Sequence, residues 1–122
     1  MTRFRGWVAL GSVYGFVAVG AAAAAAHLMD GRLAAARRVT AAALASAVQM
    51  NGWHALALIA CGLRGGGLFT HAAAMCFAVG VVLFSGSVYA GLFGLALGPI
   101  APVGGSLLLL GWLLLGVSAL RR

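Results

Sequence analysis

From Gly65 to Leu120 the chain carries no formal charge. As one helix, at 1.5 Å per residue, that stretch would be about 84 Å long, against a hydrocarbon core of about 30 Å in a bilayer. A water-soluble domain has no use for such a run either. The whole chain is 7% charged and 64% hydrophobic, where soluble domains hold roughly 25% charged and 45–50% apolar residues. The run must therefore cross lipid, turn and cross back. Gly98-Pro99-Ile100-Ala101-Pro102 is the expected turn, because two prolines and a glycine within five residues end one helix and begin another.

Two shorter charge-free runs precede it. Gly6 to Met29 is closed by Asp30 and Arg32, and Val39 to Leu63 by Arg64. Each is long enough to span. The expected fold class is an all-α membrane protein, a four-transmembrane-helix bundle with both termini on the same side. Its single domain, residues 1–122, has spans at about 7–29, 40–63, 70–97 and 103–120. The segment 30–40 is either a short surface helix or an extension of the second span. The basic start, apolar run and alanine stretch of the first 30 residues also outline a secretory signal; the segment is read here as a retained first span.

With four crossings, Arg3, Arg5, Arg64, Arg121 and Arg122 share one side, and Arg32, Arg37 and Arg38 the other. The excess places the termini in the cytoplasm. Abundant Ala, Gly and Arg without Lys points to a GC-rich bacterial genome, hence a bacterial inner membrane. The net charge of +7 sits at the ends of apolar runs. It anchors helices and attracts anionic lipid, and it does not form the aromatic-interleaved basic stripe of a nucleic-acid binder. No nucleic-acid partner is expected.

Within lipid, helices associate through close packing of small residues. Gly11 and Gly15, and Gly94 and Gly98, stand four apart. With Gly86, Gly104 and Gly105 they are the expected helix-packing positions. Cys61 and Cys76 form no metal or redox spacing and read as small packing residues. Trp7, beside Arg3 and Arg5, fits an interfacial belt. Trp53 and Trp112 lie deeper and are expected to pack against neighbouring helices.

Polar groups inside a bilayer must find partners. His27, Asn51, His54, Ser85, Ser87 and Tyr89 are the candidate intramembrane polar cluster. Asn51 and His54, three apart, share a helix face, as do Ser85 and Tyr89. Two readings stand: an inter-helix hydrogen-bond network, or a small polar cavity for water, a lipid headgroup or a quinone-like ligand. A haem held by His27 and His54 is not expected, since their depths differ by about 10–15 Å at 1.5 Å per residue. The one acid, Asp30, lies at a membrane boundary, and no catalytic or metal-ligating motif is present. No catalytic residue, metal or cofactor is therefore expected.

Several segments together resemble the YgdD-like family of small bacterial membrane proteins, domain of unknown function 423, whose eukaryotic relative is transmembrane protein 256. They are Val19 to His27 with Leu28, Trp53-His54-Ala55-Leu56-Ala57-Leu58, Leu83-Phe84-Ser85-Gly86-Ser87-Val88-Tyr89, and Pro102-Val103-Gly104-Gly105 followed by Gly111-Trp112. The chain departs from the family where Ala22 and Ala25 replace the two glycines of Gly-Ala-x-Gly-Ala-His before His27, and at Met50-Asn51, where a Tyr-Gln-like pair is usual. The resemblance implies a four-span membrane protein and no particular activity. The function expected is an accessory or assembly subunit packing against a larger membrane complex. The alternative is a binder of a lipid or quinone-like molecule in an intramembrane polar pocket.

Overall fold

The computed structural model describes residues 2–27, 31 and 39–121. The alternatives for the segment 30–40 fall almost wholly outside them, as do Arg32, Arg37 and Arg38. Four long helices follow in order: α1 (Thr2–His27), α2 (Ala41–Arg64), α3 (Leu68–Gly91) and α4 (Ile100–Leu120).

Each helix buries a seam of alternating three- and four-residue spacing. On α2 the seam is Leu44, Ala47, Asn51, His54, Leu58 and Cys61. On α4 it is Gly104, Leu108 and Gly111. On α1 it runs through Trp7, Gly11 and Ala18, with Phe4 and Tyr14 partly buried. On α3, Thr70, Phe77 and Val81 lie on it. A 3.5-residue repeat is the signature of nearly antiparallel, left-handed packing. The backbones pair in sequence: α1 on α2, α2 on α3, α3 on α4. The bundle is thus two hairpins joined through α2 and α3.

Among the described residues three helices, Phe4–His27 within α1, α3 and α4, are long and apolar enough to cross a membrane. α2 is long enough but less apolar, because Gln49, Asn51 and His54 lie in its middle. Asn51 and His54 are turned into the protein, at 2% and 3% exposure. Their polarity lowers the helix's mean hydropathy without facing lipid. Both described ends meet at one end of the bundle: Trp7 bonds His71, and Arg64 bonds the backbone of Ser118.

The turn between α3 and α4 is displaced from the expected prolines. α3 stops at Gly91 rather than at residue 97, and α4 begins at Ile100 rather than at 103. Gly94 takes a left-handed φ of 85°. Around it, the Leu95 N–H donates to the Ala90 carbonyl and the Gly94 N–H to the Gly91 carbonyl, both at 3.1 Å. This crossed pair with a left-handed glycine is a Schellman stop, which satisfies the last carbonyls of α3. Pro99 precedes α4, and Pro102 lies inside its first turn, where proline's missing N–H costs nothing. At the start of α2, Thr40 Oγ1 accepts from the Ala43 N–H at 3.0 Å, a side-chain N-cap.

Glycine contacts separate close-packing positions from mere spacing. A Cβ on Gly11 would stand 2.7 Å from the Ala55 carbonyl oxygen; one on Gly104 would meet the Phe84 backbone nitrogen and, at 2.8 Å, the Gly80 carbonyl oxygen. Gly15 and Gly105 sit at ordinary contact distance, and Gly86, Gly94 and Gly98 meet nothing. Of the expected positions, Gly11 and Gly104 therefore bring backbones together. Spacing missed Gly62, pressed on Val8, and Gly111, on whose open surface the Phe77 ring sits.

Candidate functional site

The polar side chains of the expected cluster separate into distinct sites. Asn51 Nδ2 donates to Tyr89 Oη at 3.1 Å, joining α2 to α3. One turn away, Ser85 Oγ donates to the Ala47 carbonyl at 2.7 Å, and Ser85 is 1% exposed. Ser87 turns back on its own helix and bonds the Phe84 carbonyl. His27 is exposed at the end of α1. Ala22 and Ala25 of α1 lie level with Ala41 and Leu44 of α2, so His27 stands more than two turns of α2, upward of about 10 Å, from Asn51.

His54 belongs to a second group. Its Nδ1 stands 2.7 Å from the Met50 carbonyl and must donate to it, since a carbonyl only accepts. Its Nε2 accepts from Trp112 Nε1 at 3.0 Å. The two bonds together select the neutral tautomer with the proton on Nδ1. Phe77 packs on both rings, with centroids 5.3 Å from His54 and 5.1 Å from Trp112. Both nitrogens of His54 are engaged within the protein and His27 is remote, so the two do not share one iron.

The tryptophans take three different settings. Trp7 is buried at the end of the bundle, and its Nε1 donates to His71 Nδ1 at 3.1 Å. Trp53, expected to pack inward, faces outward at 56% exposure. Trp112 is half exposed yet reaches His54 with its indole N–H. Cys61 is fully buried and Cys76 partly so, both as free thiols.

One polar pair retains unused bonding capacity. Asn51 Oδ1 is buried and has no hydrogen-bond partner. Tyr89 Oη accepts from Asn51, and among the described residues its own O–H donates to nothing. A buried carbonyl left without a donor costs about 1–3 kcal/mol. Both residues line a cleft of about 210 Å³ between Val13 and Val17 of α1 and Val81 and Gly86 of α3. Its walls are almost wholly apolar side chains. Gly86 keeps it open, since a Cβ there would meet nothing within 4 Å. A cavity of about 150 Å³ already holds a benzene ring. This cleft therefore has room for a ring or a segment of hydrocarbon chain, with the Asn51 carbonyl buried behind its apolar wall. Sequence reasoning selected Asn51, Ser85 and Tyr89 as polar groups and Gly86 as a packing position, but Val13, Val17 and Val81 carry no chemical signal of their own and enter the cleft only through packing.

Comparison with known proteins places the chain in a family. Residues 21–105 match the model of DUF423, a protein family of unknown function. The span contains Asn51, His54, Ser85, Tyr89 and Gly104. A UPF0382 membrane protein of Staphylococcus epidermidis is 34% identical over 121 residues, covering 94% of this chain and 95% of that protein. A UPF0382 membrane protein of Staphylococcus haemolyticus is 32% identical over the same shares. No solved structure matches. These matches uphold the family resemblance read from the sequence and the assignment to a membrane.

Proposed function

We propose that this chain, which belongs to the DUF423 family, is a non-catalytic membrane protein that holds a lipid- or quinone-like molecule in the cleft between α1 and α3. The single observation carrying this reading is the buried, unpartnered Asn51 Oδ1 beside the undonated Tyr89 hydroxyl. A molecule bearing a hydroxyl or a ring carbonyl would satisfy one or both groups, while the valines and Gly86 would take its apolar part. No bond of the ligand need change, and the neighbouring groups offer no acid–base pair.

The test is lipid extraction from protein purified in mild detergent, followed by mass spectrometry. Wild type is expected to carry an enriched lipid or quinone. Tyr89→Phe removes only the hydroxyl, and Gly86→Leu fills the cleft. Each should lower the retained molecule about tenfold, the scale of one lost buried hydrogen bond with its desolvation penalty. Identical lipid profiles in wild type and both variants would contradict the proposal.

A second reading, an accessory or assembly subunit, is favoured by the outward face of α1. Gly6, Gly20 and Ala23 are exposed there, and a Cβ on either glycine meets nothing within 4 Å. Small residues turned outward allow a partner helix to approach closely. In this reading the chain sits in the bacterial inner membrane with cytoplasmic termini, packed on a larger membrane complex. The same purification separates the two: a partner protein lost on Gly20→Leu supports the second, and recovery as a lone monomer counts against it.

A further inference from the structure

We infer that the end of the bundle where the termini meet carries a phosphate-binding pocket formed by Arg64, Arg121 and the first turn of α3. The pocket, about 150 Å³, lies between Arg64, the Gly66–Gly67 turn, Thr70, Ser118 and Arg121. It is separate from the Asn51 cleft and shares no residue with it.

Three observations converge on an anion. First, two guanidinium groups line one small pocket, and the only acid in the chain, Asp30, follows the opposite end of α1. No carboxylate of the described residues neutralises them. Second, Arg64 is incompletely satisfied. One terminal nitrogen donates to the Ser118 carbonyl at 3.0 Å, but its Nε–H is buried with no partner. A buried charged donor left unmade is costly, and an oxyanion is the acceptor that matches a guanidinium. Third, Gly67 precedes α3 without a side-chain cap, so the free N–H groups of its first turn border the pocket alongside the positive end of the helix dipole. Arg121 is held at the rim by the Phe69 ring, with its guanidinium carbon 4.9 Å from the centroid. The guanidinium is thereby fixed over the first turn of α3.

The ligand class is a phosphate monoester or diester. At a membrane boundary, the headgroup of an anionic phospholipid supplies one; free phosphate in solution supplies the other. The experiment is native mass spectrometry of the full chain in neutral detergent. Phosphatidylglycerol, phosphatidylcholine and inorganic phosphate are titrated separately, and the two lipids are titrated again with phosphate present. Both lipids offer a phosphodiester, but the choline cation of phosphatidylcholine is repelled by the two guanidiniums. Phosphatidylglycerol is therefore expected to bind at one site about tenfold more tightly, within the range of one like-charge contact at about 4 Å between bulk water and a protein surface. Arg121→Gln should remove that preference. Arg64→Gln should do the same, and Arg121→Gln keeps the test valid if Arg64→Gln fails to fold. Arg5→Gln, exposed on α1 outside the pocket, should leave the preference intact. Saturable inorganic phosphate binding that is lost in Arg121→Gln, without a lipid preference, assigns the same pocket to a soluble phosphate. Equal affinity for both lipids with no phosphate binding overturns the inference, and so does a loss in Arg5→Gln as large as in Arg121→Gln.

Discussion

At the scale of residues, small side chains and polar side chains divide the work of holding the bundle together. Lipid supplies no hydrophobic drive between helices, so the closeness of backbones decides stability. An alanine at Gly104 would force its Cβ against the Phe84 backbone and the Gly80 carbonyl. Overpacking of this kind costs about 1–3 kcal/mol. His54, by contrast, contributes hydrogen bonds to Met50 and Trp112, and such bonds in membranes average about 0.6 kcal/mol. Gly104→Ala is therefore expected to destabilise the bundle more than His54→Phe, measured by reversible unfolding in mixed micelles. The reverse order would show that the polar contacts dominate. Part of this was legible in the sequence. Asn51 and His54 visibly share a broad face, but three residues turn a helix by about 300°, leaving them about 60° apart. That offset is enough to send Asn51 to Tyr89 on α3 and His54 to Trp112 on α4. No periodicity in α2 alone announces the split, because it depends on where the neighbouring helices stand.

At the scale of elements, the two kinds of contact occupy different pairs of helices. Glycine approaches join neighbours in sequence: Gly11 and Gly62 between α1 and α2, Gly80, Gly104 and Gly111 between α3 and α4. Long polar side chains bridge pairs whose backbones are farther apart. Trp7 and Tyr14 tie α1 to α3, at 3.1 and 2.7 Å, and His54 and Arg64 tie α2 to α4. The hairpins are sealed by packing and then stitched to each other by hydrogen bonds. The turn of the second hairpin shows the limit of sequence signals. The two prolines marked the region of the turn, but the chain stops α3 earlier, at Gly91, through the Schellman bonds around Gly94. Proline is the louder signal in a sequence, yet it is tolerated at a helix start, while a left-handed glycine is required at this stop. Gly94→Ala should cost about 1–2 kcal/mol from the left-handed backbone, and Pro102→Ala less than about 0.5 kcal/mol, its N–H having no helical acceptor. Equal effects in the same unfolding assay would place the stop elsewhere.

At the scale of the whole molecule, everything turns on α2. Among the described residues hydropathy alone recognises three spans; the bundle has four helices, and the one that hydropathy misses packs between α1 and α3. Asn51 and His54 are tolerable because they face Tyr89 and Trp112 instead of lipid, while Gln49 stays on the outer surface. If α2 crosses, the Asn51 cleft lies inside the membrane and the Arg64–Arg121 pocket lies where the termini meet. If it does not, the two ends of the chain separate and both sites dissolve. The chain length between charges made four crossings legible. The burial of Asn51 and His54, which makes the second crossing affordable, needed the helices assembled. Single cysteines at Thr2, Gly67, Ala96 and Arg121, in a background without Cys61 and Cys76, can be labelled with a membrane-impermeant maleimide in sealed, oriented vesicles. Positions 2, 67 and 121 should label together, with 96 protected when they react and reactive when they are protected. Position 2 labelling from the side opposite to 67 and 121 would contradict the four-helix membrane bundle.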